Sequence, residues 1–152
     1  MLSRLEIING ILIFILLGLF FLILDSLGYS DNIYLRFFNI LFVFFGINRV
    51  VSHKVKNGET GYFRNFGSAL ITSLIAALLS VIGLAIYITY FREGASISDL
   101  AKSIIMGDQD VDLLKYCAAL LVEGLGSSLI LTFIFMQYWR ITHNLQKPES
   151  KK

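Results

Sequence analysis

FGSALITSLIAALLSVIGLAIYITYF, residues Phe66 to Phe91, runs for 26 residues without a charged side chain. As a helix it is about 39 Å long, enough to cross a hydrocarbon core of about 30 Å with some tilt. Its small residues Ala69, Ser73, Ala76, Ser80 and Gly83 recur at spacings of 4, 3, 4 and 3. That rhythm places them on one helical face, where small side chains let a neighbouring membrane helix come close. The bulky Leu and Ile positions are left for lipid. The segment is therefore expected to be the packing hub of a membrane bundle.

The flanking sequence repeats the pattern. Ile7 to Leu24 is 18 residues without charge, closed by Asp25. It exceeds the apolar core of a secretory signal, about 7–15 residues, and reads as a retained first span. Gly28, Ser30, Asp31 and Asn32 form a turn that makes the first two spans an antiparallel hairpin. The second span, Ile33 to Val51, is short. Its uncharged centre, Phe37 to Asn48, lies between Arg36 and Arg49, whose stems can stay in hydrocarbon while their heads snorkel to opposite interfaces. A polar connector, Ser52 to Asn65, leads into the hub. The fourth span, Tyr116 to Trp139, carries one charge, Glu123, and ends in the interfacial anchor Tyr138-Trp139-Arg140. Between the last two spans, Ile97, Leu100, Ala101, Ile104 and Ile105 sit at helical spacing and predict a short amphipathic surface helix.

Composition agrees. The chain of 152 residues is 56% apolar and 16% charged, against about 45–50% and 25% for a soluble domain. A net charge of +2 without a basic stripe gives no reason to expect nucleic acid as a partner. Cys117 is the single cysteine, so no internal disulfide forms; an apolar filler role is expected. With the N-terminus inside, the inner segments hold nine basic residues: Arg4, Arg49, Lys54, Lys56, Arg64, Arg140, Lys147, Lys151 and Lys152. The outer segments hold four, Arg36, Arg92, Lys102 and Lys115. The positive-inside rule then puts both termini in the cytoplasm.

The glycine-containing connector, the entry Tyr62-Phe63-Arg64-Asn65-Phe66-Gly67-Ser68-Ala69 and the helix opening LITSLIAALLS together resemble a bacterial membrane-protein family. That family has four predicted spans and is catalogued as a domain of unknown function. The similarity runs from about Ile7 to Arg140, with its specific part from Gly58 to Gly83. It implies an inner-membrane location and carries over no activity and no catalytic residue. Glu123 lies outside the family pattern.

Glu123 is the most informative polar residue, seven positions into the fourth span. A carboxylate in a membrane is costly unless paired or wetted, so it is expected to face the bundle interior. Ser127 lies one turn along on the same face; Arg36 and Asn39 are the expected partners. This set reads either as a proton- or cation-coupled site or, with better support, as a pair that fixes helix packing. Asp108, Asp110 and Asp112 imitate the start of a calcium loop, but Leu113 and Ala119 stand where glycine and glutamate are required. His53 and His143 have no carboxylate or cysteine at ligand spacing, and no metal or other cofactor is expected. Ser127 and Ser128 lie within a span, yet both histidines lie outside the spans, so an intramembrane serine protease is rejected.

The expectation is an all-α polytopic membrane protein: four transmembrane helices in a bundle over residues 1–140, a short amphipathic helix in the third loop, and a cytoplasmic polar tail over 141–152. The lipid bilayer and other membrane helices are the expected partners, either in a homo-oligomer or in a larger complex. Its function is read as a non-enzymatic scaffold or accessory subunit packing through the third helix. The alternative is a small oligomeric proton- or cation-coupled carrier using Glu123.

Overall fold

The computed structural model describes residues 4–29, 34, 37–59, 61–91 and 113–145. They form four helices, α1 (Arg4–Ser26), α2 (Phe38–Lys56), α3 (Tyr62–Phe91) and α4 (Leu113–Leu145), and no strand. The expected amphipathic helix, the three loop aspartates and most of the polar tail lie outside the described residues.

Three helical segments, Arg4–Ser26, Tyr62–Phe91 and Leu113–Trp139, are long and apolar enough to cross a membrane. Only 17–22% of each apolar window is buried inside the protein. Ile15, Leu19, Ile23, Leu78, Ile82, Ile130 and Ile134 all face outward. At about 25 cal/mol per Å² of apolar surface, so large an exposed area demands hydrocarbon as solvent. The chain is a helical membrane protein.

α2 is different. It spans Phe38–Lys56 and ends five positions later than the sequence pattern suggested. The helix runs on through Ser52-His53-Lys54-Val55-Lys56, and α3 starts at Tyr62, so the connector shrinks to residues 57–61. Local hydrogen bonding explains the late stop. Gly58 takes φ 83°, its N–H donates to Val55 O at 3.0 Å, and the Glu59 N–H donates to Lys54 O at 3.0 Å. This is a Schellman stop, in which a left-handed glycine lets the chain reverse and satisfies the last carbonyls. α1 ends the same way at Gly28, φ 75°, with the Tyr29 N–H on Leu24 O at 2.8 Å. Gly58→Ala is expected to cost about 1 kcal/mol, because a Cβ strains the left-handed region. Thermal unfolding of the purified chain, followed by circular dichroism, would measure it; an unchanged midpoint would mean the turn can relax.

The helices alternate in direction. The N-terminal end of α1, the C-terminal end of α2 and the N-terminal end of α3 meet where Lys54 bonds both Glu6 and Ser68. At the opposite end Tyr87 of α3 donates to Asp25 Oδ2 of α1 at 2.6 Å. α4 runs against α3, because Phe135 and Met136 share a core cluster with Ala69, Ile47 and Val51, while Tyr116 packs on Ile88. α3 is the hub, contacting the other three helices. Ala69, Ser73 and Ala76 are buried on it; Ser80 and Gly83 are half-buried. A Cβ on Gly83 would come within 2.9 Å of the Phe14 ring, and one on Gly10 within 2.8 Å of Ile75. The small-residue face is thus filled largely by this chain's own helices.

Candidate functional site

The most polar part of the interior sits where α1, α2 and α3 meet. Lys54 Nζ lies 3.0 Å from Glu6 Oε1, with the two side chains 11% and 4% exposed. The same ammonium donates to Ser68 Oγ, and the Ser68 hydroxyl also contacts Arg64 O at 3.0 Å. Glu59, carried back by the Gly58 turn, stands 3.9 Å from Lys54 and 3.3 Å from Arg64. Asn65 Nδ2 donates to Glu59 O at 2.7 Å and ties the start of α3 to the turn. One turn below Glu6, Asn9 is 1% exposed and donates to Leu5 O at 2.7 Å. Thr72, fully buried, donates to Ser68 O at 2.8 Å.

This cluster is a clamp. Its charges are matched, Lys54 with Glu6 and Arg64 with Glu59; the first pair joins α1 to α2 across 48 positions, and the second ties the turn to the start of α3. A charge pair this dry gives little net stability over an apolar substitute, but it penalises any register that separates the partners. Sequence reasoning left Glu6 just ahead of the first span and Lys54 in the polar connector. A signal existed: the two residues stand 24 positions either side of Ser30 in the turn-forming stretch. An antiparallel hairpin brings such positions to one level. The same register puts Phe20 beside Phe38 and Phe42, at centroid distances of 6.2 and 5.4 Å.

Glu123 is not in the interior. It is exposed, as is Ser127 one turn on, whereas Ser128 and Thr132 are buried. The rotation of α4 follows from its close approach to α3, where a Cβ on Gly124 would meet Ala77 Cβ at 3.3 Å. With Gly124 turned inward, its neighbour is swung about 100° around the helix. The contact also sets the depth. Ala77 is at the middle of α3, so Glu123 lies near mid-height, deeper than its place in the sequence suggested.

Nor does Asn39 reach it. Phe44 of α2 packs edge-on against Phe135 of α4 at 4.5 Å between centroids. Measured from that level, Asn39 and Glu123 lie about 10 Å apart along the helix axes. Asn39 is half-buried, and Arg36 lies outside the described residues. Among the described residues no group of three or more His, Cys, Asp or Glu could hold a metal ion. His53 is exposed, with its Nδ1 3.2 Å from Asn57 Nδ2. Cys117 is half-buried within α4.

No protein-family model matches the sequence, and neither a curated protein nor a solved structure matches it.

Proposed function

We propose that the protein is a non-enzymatic scaffold or accessory subunit of the bacterial inner membrane. Its four helices all cross, both termini are cytoplasmic, and it holds other membrane helices against the outer face of α4. Glu123 carries this reading. An exposed carboxylate at mid-height of an apolar helix costs about 3 kcal/mol in hydrocarbon, so a polar group of another helix has to cover it. Gly126 and Ser127, exposed beside it, are small enough to let that helix approach, the usual composition of a membrane helix interface. The third helix cannot offer its small-residue stripe in the same way, because Ala69, Ser73 and Ala76 are already buried.

The alternating helix directions support a fourth crossing by α2. The count of basic residues supports the cytoplasmic side for the clamp.

Glu123→Leu is expected to reduce recovery of the partner about tenfold in a mild-detergent pull-down from native membranes, since one interhelical polar contact is worth about 1–2 kcal/mol. The stability of the isolated chain should hardly change, because the side chain is exposed in it. Unchanged recovery would remove the docking face. A carrier remains the second reading, favoured by the same exposed carboxylate if copies of α4 face one another. In that case Glu123→Gln abolishes coupled flux in proteoliposomes while assembly persists.

A further inference from the structure

The outward face of α2 changes chemistry along its length. Leu41, Phe44 and Phe45 are exposed on it, followed by Asn48, Arg49, His53 and Lys56, with Ser52 half-buried. Phe45, Asn48, Arg49, Ser52, His53 and Lys56 line one surface depression of about 280 Å³. The spacing is helical, so a single face carries an apolar half and a basic half.

The distribution of acids isolates that basic half. Lys54, on the inward side, faces Glu6 and Glu59, and Arg64 faces Glu59. Arg49 and Lys56 make no ion pair among the described residues. Two unneutralised cations, a histidine, a hydroxyl and an amide therefore share one open depression.

Depth completes the case. From Arg49 to Lys56 the helix rises about 10 Å, comparable to the headgroup layer of one leaflet at about 5–8 Å. Arg49 stands about 7 Å further into the membrane than Lys54, so its guanidinium reaches back toward the interface. Below it, Phe45 and Leu41 point the way an acyl chain runs.

We infer that this depression binds an anionic phospholipid of the adjoining leaflet. Its phosphate sits among Arg49, Ser52, His53 and Lys56, and an acyl chain lies along Phe45 and Leu41. The inference rests on the proposed crossing of α2 and not on the α4 docking face, so losing that face would leave it standing.

The test is native mass spectrometry of the full purified chain titrated with phosphatidylglycerol or phosphatidylcholine. Phosphatidylglycerol should bind preferentially. The double variant Arg49→Gln, Lys56→Gln should bind it about thirtyfold more weakly, from about 1 kcal/mol per basic residue at an anionic surface. Arg49→Lys with Lys56→Arg should retain binding, and circular dichroism should show the same helical content for all three proteins. Equal affinity for the two lipids, or unaltered phosphatidylglycerol binding by the Gln variant, would overturn the site. So would protection from thermal unfolding by millimolar inorganic phosphate as strong as that by the lipid, which would assign the depression to a free anion. A membrane protein that cross-links to Ser52→Cys and leaves the bound-lipid count of the Gln variant equal to wild type would assign the face to that protein instead.

Discussion

Lys54→Met is expected to destabilise the protein by about 3 kcal/mol, because it strips the ammonium from a carboxylate that has almost no access to solvent. Glu6 is 3% exposed, and Lys54 Nζ is 3.0 Å from it. The same change also removes the bond from Lys54 to the Ser68 hydroxyl, so three helices lose their common tie. Glu6→Leu combined with Lys54→Met should recover most of the loss, since apolar groups of similar volume replace a desolvated ion pair at little or no cost. Unfolding midpoints of the four proteins of this double-mutant cycle decide the matter. A single variant as stable as wild type would mean that water reaches the pair and that the clamp is only a surface contact.

The second large effect belongs to Gly46. A Cβ there would overlap Cδ1 and Cγ1 of Ile13, which is fully buried. α1 and α2 cross at this point with no space for a methyl group. Gly46→Ala should cost about 2 kcal/mol by overpacking. Ile13→Ala alone should cost about 3 kcal/mol as a cavity. Together they should be less damaging than the two costs combined, because the new methyl occupies part of the space the isoleucine leaves. Strict additivity in unfolding free energies would show that the two positions do not touch.

How far the sequence reached can be judged from these residues. The long uncharged runs in α1, α3 and α4 were legible because hydropathy is a local property, and the small-residue rhythm of α3 identified the helix that contacts all the others. α2 was legible only in part. Its apolar centre is short, and the helix continues through Ser52 to Lys56 because a partner on α1 neutralises Lys54. A reading confined to local composition ends the helix where the charges begin. Glu123 was singled out as the polar residue that needs an explanation, but its direction was not legible. Whether residue 123 or residue 124 faces inward is a rotation of about 100°, settled by the approach of Gly124 to Ala77 on another helix.

By itself, then, the sequence determined an all-helical chain for a lipid environment, because about 20 consecutive apolar residues leave the backbone no other way to satisfy its polar groups in hydrocarbon. It also determined the first turn, through Gly28. Only the tertiary structure decided which charges are matched inside and which face outward. Those outcomes depend on the register and rotation of helices against each other, set by contacts such as Glu6 with Lys54 and Gly46 with Ile13. Such contacts join residues tens of positions apart, where periodicity within one helix carries no information.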